Sequence, residues 1–248
     1  MKKTLAVAAA LVLIWQGICP AGTVSVTDQA GRTVRVSQPV NRVVTTFIPA
    51  TLFALCAGLG DALAGASNKD GTSSLYEALI NPDSPPVLVG NRTAGLSLET
   101  IFSLAPDLVI MYGQKDGIRL ADRLTSMGVP AVVIMPETMA DMKITLDLIG
   151  RASGRTAHAQ KVLEAMARIE SLLAVKTGEL DRPGVYYAAS RLMSTVSGDM
   201  LQNEMIRLAG GRNVSENTRG FFVTVGREQV LAWNPGVIFA SEDRKSVV

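Results

Sequence analysis

The sequence predicts an α/β protein of two lobes, each a parallel β-sheet flanked by helices, with a long helix between them. Between residues 41 and 135, short apolar segments rich in β-branched residues alternate with amphipathic segments, as in parallel sheets whose strands are connected by helices. From Met139 to Leu173 a helical period replaces this alternation, interrupted near residues 150–154, and the alternation resumes after Pro183. Two Rossmann-like lobes joined by a backbone helix account for this order.

The first 21 residues are typical of a secretory signal peptide. Lys2 and Lys3 precede an uncharged, mostly apolar run from Leu5 to Trp15, which is too short to cross a bilayer as a permanent anchor. Small residues at Cys19 and Ala21 suit a cleavage site after Ala21. Cleavage there would release an exported, soluble mature chain that begins at residue 22.

Residues 22–138 are predicted to form the N-terminal lobe. It begins with a β-hairpin, because Thr23 to Val36 alternates apolar and polar residues around a turn at Asp28 to Gly31. The first helix is expected to end at Gly60, since glycine commonly follows the last turn of a helix. The remaining pattern predicts strands at 41–47, 62–66, 107–111 and 131–135, and helices at 50–59, 98–104 and 118–127.

Residues 139–178 are predicted to form the connecting helical segment, and residues 179–248 the C-terminal lobe. This second lobe is expected to contain strands at 185–189 and 236–240 and helices at 201–208 and 228–232. Because no helix follows the last strand to cover the sheet, we expect a truncated lobe with exposed apolar surface. A cleft between two such lobes is a common site for small ligands.

Charge and the supply of metal ligands limit the classes of partner. The chain carries 24 basic and 22 acidic residues, without the positive excess of nucleic-acid binders, and no nucleic-acid partner is expected. A bare transition ion usually takes several imidazole, thiolate or carboxylate ligands, and the chain offers a single imidazole, His158. After cleavage it also offers a single thiol, Cys56, whose apolar neighbours favour a buried position. We therefore expect no resident metal or cofactor. A metallic ligand should arrive in its own chelator or as an oxyanion.

A nucleotide-binding α/β enzyme is the alternative from another class, since parallel sheets often bind nucleotides. The sequence contains neither a glycine-rich dinucleotide or phosphate-binding motif nor the G-x-S-x-G motif of many hydrolases. The expectation is therefore that the protein is not an enzyme. A hydrolase would require the single histidine, His158, to reach the cleft.

Short motifs in both lobes resemble those of the periplasmic binding proteins with a helical backbone, which include cobalamin-binding and ferric hydroxamate-binding proteins. The matching residues are Val26, Thr27, Asp28, Gly31, Arg32 and Val34; Leu98 and Glu99; Leu104 to Ile110; Thr195, Ser197 and Gly198; Leu208 to Val214; Arg227 to Val230; and Asn234 to Ile238. Their order and spacing over nearly all of the mature chain are specific, although each motif alone is weak. The resemblance implies a monomer that holds a metal chelate between its lobes and delivers it to an ABC permease dimer in the inner membrane.

Candidate ligand-binding residues lie on loops at strand ends that face the predicted cleft. Arg92 lies in the loop Gly90 to Thr93, which resembles the loop where ferric hydroxamate-binding proteins place an arginine on the metal-coordinating oxygens. Tyr112 ends a buried strand and could stack on a chelator, and Phe222 stands where cobalamin-binding relatives carry an aromatic residue. A solvated or packing role stays open for each. The further candidates are Asn68, Lys115 and Arg191.

These residues do not determine the ligand, because one fold can host several ligands. A ferric siderophore ranks first on account of Arg92. Cobalamin, haem and molybdate or tungstate are the alternatives. In each case the ligand would be bound and released without chemical change.

Glu99 and Glu228 occupy matching positions at the start of a helix in each lobe. A carboxylate there complements the positive end of the helix dipole, and this role suffices for either residue alone. In the cobalamin-binding and hydroxamate-binding relatives, glutamates at these motif positions meet arginines on the two permease subunits. The resemblance therefore implies that Glu99 and Glu228 dock the two lobes onto the transporter.

Overall fold

A computed structural model describes residues 22–67, 80, 83–91, 95–114, 116–178, 181–189 and 193–240. The predicted signal peptide of residues 1–21 lies outside the described residues, as do four ligand-binding candidates, Asn68, Arg92, Lys115 and Arg191. Among the described helices, none is both long enough and apolar enough to cross a membrane.

The first two strands form the predicted β-hairpin. Strand β1 (Gly22–Thr27) pairs antiparallel with β2 (Thr33–Gln38), from Gly22 opposite Gln38 to Thr27 opposite Thr33. Gly31 adopts φ 77° in the turn, a conformation that glycine reaches without strain. The hairpin's inward-facing valines, Val26, Val34 and Val36, are buried in the core of the first lobe.

The first lobe is built on a parallel sheet, as predicted. Within the described residues its strand order is β5-β4-β3-β8-β9, and every neighbouring pair is parallel. A separate antiparallel pair, β6 and β7, follows β5. The strands are β3 (Val43–Thr45), β4 (Leu63–Ala66), β5 (Val87–Leu88), β6 (Gly90–Asn91), β7 (Gly95–Leu96), β8 (Leu108–Tyr112) and β9 (Ala131–Ile134).

Helices cover both faces of this sheet, which explains the unbroken apolar runs of its central strands. Along β8, Leu108 and Ile110 belong to the cluster formed with α1, α4 and the hairpin, whereas Val109 and Met111 pack with α2 and α3. Consecutive side chains of a strand point to opposite faces, so a strand buried on both sides needs no polar alternation. The helices are α1 (Ile48–Cys56), α2 (Leu98–Ser103), α3 (Gly117–Ser126) and α4 (Met139–Ser153).

Helix α1 is shorter at its C-terminus than the sequence predicts. It ends at Cys56, because Gly58 adopts φ 78° and the N–H groups of Gly58 and Leu59 donate back to the carbonyl oxygens of Leu55 and Ala54. Cys56 is exposed on this last turn. The expectation of a buried thiol at Cys56 is therefore wrong.

Two helices fill the segment predicted to connect the lobes. Helix α4 packs on the hairpin and α1, and it is followed after Gly154 (φ 77°) by α5 (Thr156–Thr177). The two helices approach closely at Gly150, where a Cβ atom would lie 2.6 Å from the Cβ of Ala159. Helix α5 continues past the first lobe to contact helix α6 (Leu201–Leu208) of the second. The interruption expected near residues 150–154 is thus confirmed.

The second lobe has a parallel sheet of its own, in the order β12-β10-β14, and an antiparallel pair, β11 and β13, that the sequence did not predict. Its core is small and centres on Tyr186, Ala188 and Val214, with Trp233 packed against it. All four residues of β14 are exposed. The elements are β10 (Gly184–Ala188), β11 (Ser194–Val196), α6 (Leu201–Leu208), β12 (Arg212–Asn213), β13 (Phe222–Thr224), α7 (Arg227–Trp233) and β14 (Val237–Ala240).

A hydrogen bond joins the second lobe to the start of α4. The backbone N–H of Met139 donates to Glu204 Oε2 on α6 over 2.6 Å. Thr138 and Asp141 form a capping box at the same helix end, each side chain accepting from the other residue's backbone N–H. Glu204 therefore supplies a further acceptor to the α4 N-terminus from the opposite lobe, where a negative charge is favourable.

Candidate functional site

The carboxyl ends of β3, β8 and β9 lie at one edge of the first sheet, where α/β proteins commonly bind ligands. Phe47 follows β3, Tyr112 ends β8, and Glu137 follows β9 by three residues. The register that pairs Thr45 with Ile110 brings these strand ends together. Residues far apart in the sequence thus form one surface.

Phe47 and Tyr112 form an aromatic stack at this edge. Their ring centroids are 4.9 Å apart and the ring planes differ by 17°. Phe47 is 42% exposed, so part of the stack is open to solvent. The pair offers a flat apolar surface, which suits stacking against a planar ligand.

A phenol and a carboxylate are paired beside the stack. The Tyr112 hydroxyl donates a hydrogen bond to Glu137 Oε1, and Gln114 Nε2 donates to the same oxygen over 3.2 Å. Burial, together with the hydrogen bond to Glu137, raises the pKa of Tyr112 well above its usual range. Tyr112 therefore stays a neutral hydrogen-bond donor at physiological pH.

A surface cavity of about 450 Å³ borders Glu137. The hairpin turn, the loop after β9 and helix α4 form its walls, with Met135 and Ile144 among the apolar lining residues. Met139, whose backbone N–H donates to Glu204 of the second lobe, lies two residues after Glu137. The second lobe thus contacts the first beside this site.

The hairpin turn fixes the strand that leads to Glu137. The N–H of Val133 donates to Asp28 Oδ2 (3.0 Å), the N–H of Gln29 donates to the Val133 carbonyl (3.1 Å), and the N–H of Met135 donates to Gln29 Oε1 (2.7 Å). The turn therefore occupies the open edge of β9, which would otherwise expose unpaired backbone groups. Asp28, part of the first motif of the resemblance, has a structural role here.

The second lobe presents two exposed aromatic residues, Phe221 (55% exposed) and Phe222 (56%). Phe222 lies on β13 opposite Val196 of β11. Ser215 Oγ donates to the Val196 carbonyl over 2.8 Å, and the Ser215 backbone N–H donates to Oδ1 of the buried Asn213 over 3.1 Å. This polar network anchors the β11–β13 pair that carries Phe222.

The structure brings only some of the sequence candidates together. Tyr112 contacts Glu137 and stacks on Phe47, whereas Phe222 belongs to the second lobe, and among the described aromatic rings it stacks on none. Phe47 and Glu137 were not among the candidate residues predicted from the sequence, although each follows a buried strand. Position directly after a buried strand was the signal available for Phe47. A binding role for Tyr112 and Phe222 stays a prediction.

His158 lies away from this edge. A Cβ atom at Gly58 would meet its ring at 2.9 Å, so His158 packs against the C-terminal end of α1. Connecting helices run antiparallel to the strands of a parallel sheet, so this end lies opposite the edge where Phe47 begins the helix. A hydrolase would need His158 at the edge that carries Phe47 and Tyr112, so the position of His158 disfavours this alternative. Among the described residues, no group of three or more His, Cys, Asp or Glu side chains could hold a metal ion.

Glu99 and Glu228 occupy equivalent positions in their helices. Each is the second residue of its helix, α2 or α7, and each side chain is exposed. Neither forms an ion pair with any of the described residues. Their docking role stays a prediction.

Comparison with known proteins agrees with this two-lobed architecture. The family model described as "periplasmic binding protein" matches residues 43–247, and the chain belongs to this family. A vitamin B12-binding protein of Vibrio parahaemolyticus is 28% identical over 211 residues, which cover 85% of this chain and 74% of that protein.

Solved structures show the same fold at lower identity. The periplasmic vitamin B12-binding protein of Vibrio cholerae superimposes with a TM-score of 0.65 at 24% identity, covering 82% of this chain and 77% of that chain. The molybdate periplasmic binding protein of Haemophilus influenzae gives a TM-score of 0.71 at 20% identity, covering 91% and 76%. Proteins with different ligands therefore share this fold, so the ligand must be inferred from the site.

Proposed function

We propose that the protein is the binding component of an ABC importer in the periplasm and that its ligand is a planar metal chelate of the corrinoid type. The observation that carries the proposal is the Phe47–Tyr112 stack at the edge of the first sheet where the strands have their carboxyl ends. Exposed Phe221 and Phe222 on the second lobe add apolar surface for the other side of a bulky ligand. Aromatic faces suit a large, mostly apolar macrocycle better than a small oxyanion.

This proposal reverses the order of ligands expected from the sequence, which placed a ferric siderophore first because of Arg92. Arg92 lies outside the described residues, and among the described ones the charged group beside the aromatic stack is the carboxylate of Glu137. A carboxylate disfavours anionic ligands such as many ferric siderophores and molybdate. The similarity to vitamin B12-binding proteins supports the same choice.

The proposed activity is capture and delivery without catalysis. The chain would act as a monomer, bind its ligand between the lobes and release it to the permease. The position of His158 at the end of α1, away from the aromatic edge, supports a binding role over hydrolysis.

Titration of the mature chain with candidate ligands tests the proposal. Isothermal titration calorimetry would compare dicyanocobinamide, cyanocobalamin, haemin, a ferric hydroxamate and molybdate, and we expect the two corrinoids to bind most tightly. Phe47→Ala should weaken corrinoid binding by about tenfold or more, because it removes an apolar face, whereas Phe47→Leu should retain most of the affinity. Tighter binding of the ferric hydroxamate or of molybdate would refute the corrinoid assignment.

We also propose that Glu99 and Glu228 dock the protein onto the permease dimer, one on each subunit. Their exposure and matching helix positions support this role. Reversing both charges to Lys should leave ligand affinity in solution unchanged and abolish uptake and transporter-stimulated ATP hydrolysis, because rim charges set the encounter with a partner. Glu164→Lys on the exposed face of α5 is the control for charge reversal. Normal uptake by the double variant would refute the docking role and leave both glutamates with only their effect on the helix dipole.

A further inference from the structure

The two oxygens of Glu137 have different surroundings. Oε1 accepts hydrogen bonds from Tyr112 and Gln114. Oε2 accepts none from the described residues, and Glu137 lines the cavity of about 450 Å³. One oxygen is thus bound within the protein, while the other is available to a ligand.

The carboxylate is held in place before any ligand arrives. The Tyr112 ring, which donates to Oε1, is stacked on Phe47, and the backbone leading to Glu137 is tied to the hairpin by the hydrogen bond from Met135 to Gln29. A preorganised acceptor loses little conformational entropy on binding, which favours both affinity and selectivity. A mobile surface carboxylate would have neither advantage.

Negative charge dominates the polar lining of this cavity. Besides Glu137, the lining carboxylate is that of Asp141, which accepts from Thr138 in the capping box. Asp28 also borders the cavity, but its side chain is buried and paired with Arg32. No lysine or arginine among the described residues lines the cavity. Within the described part of the chain, an anionic group on a ligand would therefore meet a carboxylate without a compensating cation.

We propose that Glu137 selects among corrinoids by their peripheral groups, accepting hydrogen bonds from amide N–H and rejecting carboxylates. This inference rests on the proposed corrinoid function and specifies the chemistry that the site favours. A primary amide offers two donors to Oε2, whereas an ionised carboxylate offers none and is repelled. The same reasoning disfavours the propionates of haem.

Net charge does not provide this selectivity. Removal of Lys2 and Lys3 with the predicted signal peptide leaves 22 basic residues against 22 acidic ones. The mature chain as a whole thus neither attracts nor repels an anion strongly at distance. A preference for amide-bearing corrinoids would have to arise from local groups such as Glu137.

Two corrinoids with different peripheral groups test the proposal. Calorimetry on the mature chain would compare dicyanocobinamide, whose side chains are amides, with dicyanocobyrinic acid, whose side chains are carboxylic acids. We expect the wild type to prefer the amide form by about tenfold or more at low salt, since hydrogen bonds to charged groups are among the stronger ones. Glu137→Gln should reduce this preference about tenfold, because glutamine removes the repulsion and can donate to a carboxylate.

Control variants separate a local effect from a general one. Glu164→Gln removes one exposed carboxylate from α5 and should leave the amide preference unchanged. Glu137→Ala removes both the acceptor and the charge, so it should weaken cobinamide binding and also reduce the preference. Thermal unfolding by circular dichroism would check that each variant is folded. If Glu137→Gln does not fold, the test uses Glu137→Ala in its place.

The outcomes distinguish this inference from the function on which it rests. If the wild type binds corrinoids but both Glu137 variants keep its amide preference, the role of Glu137 is refuted and the corrinoid function stands. If the wild type binds neither corrinoid, both proposals fail. A wild type that prefers the carboxylate form would likewise overturn the role of Glu137.

Discussion

Replacement of Asp28 should destabilise the first lobe more than replacement of a residue in an exposed ion pair. Its side chain is 0% exposed and accepts backbone hydrogen bonds from Ala30 (3.0 Å), Arg32 (2.9 Å) and Val133 (3.0 Å). The guanidinium of Arg32 lies 3.3 Å from the same carboxylate. Asp28→Ala would leave three donors unpaired and a largely buried cation without this partner.

The expected loss follows from this environment. Removing one partner of a buried ion pair typically costs about 3–5 kcal/mol of unfolding free energy, and we expect Asp28→Ala to fall in this range. Asp28→Asn keeps one acceptor oxygen but turns an N–H₂ group toward the N–H of Val133, so an intermediate loss of about 1–3 kcal/mol is expected. Asp122→Asn breaks the other ion pair of Arg32 (2.8 Å), in which Asp122 is 63% exposed, and should cost less than about 1 kcal/mol.

Urea unfolding followed by far-UV circular dichroism would measure these differences. Trp233 belongs to the second lobe and is therefore a poor reporter for Asp28. Hydrogen exchange at the amide of Val133 adds a local measurement, because Asp28→Ala removes its acceptor and should accelerate exchange. A loss below about 1 kcal/mol for Asp28→Ala, or one equal to that of Asp122→Asn, would refute the reasoning.

Three further predictions concern other parts of the fold. Glu204→Ala should lower the free energy of unfolding, measured in urea, by about 1–2 kcal/mol because it removes the acceptor at the start of α4. Glu204→Gln should lower it by less, and equal losses for the two variants would contradict this. Gly150→Ala should lower the free energy of unfolding by about 1–3 kcal/mol in the same assay, because the new Cβ would lie 2.6 Å from the Cβ of Ala159. An unchanged stability would show that α4 and α5 can move apart without loss. The hydrogen bond from the N–H of Gly220 lowers the pKa of Asp199 below its ordinary value of 3.8. The stabilisation by Asp199 should therefore be present above pH 3.8 and lost as the pH falls through the folded-state pKa. An NMR titration of Asp199 with a midpoint at or above 3.8 would contradict this.

The central strands were predictable because their signal is local. Strands β8 and β9 read as uninterrupted apolar runs, and such runs are typical of strands buried on both faces. The β11–β13 pair was missed because its strands have three residues each and depend on distant groups. Ser215 and the buried Asn213 anchor it, and neither produces a periodic pattern.

The candidate site was only partly predictable, for a related reason. Tyr112 could be marked because it ends an apolar run, and strand ends of parallel sheets commonly carry binding residues. Its partners Phe47 and Glu137 stand 65 and 25 residues away in the chain. Their contacts depend on the order β3-β8-β9, which nothing local in the sequence specifies.

The sequence by itself determined the α/β class, the order of most elements and the family motifs, because hydrophobic period, turn residues and helix ends act over a few residues. Only the tertiary structure decided what those motif residues do. It placed Asp28 at the open edge of β9 and Glu204 at the start of a helix from the other lobe. It also brought a carboxylate beside the aromatic stack. These pairings arise from sheet order and lobe packing, which join residues that the chain keeps far apart.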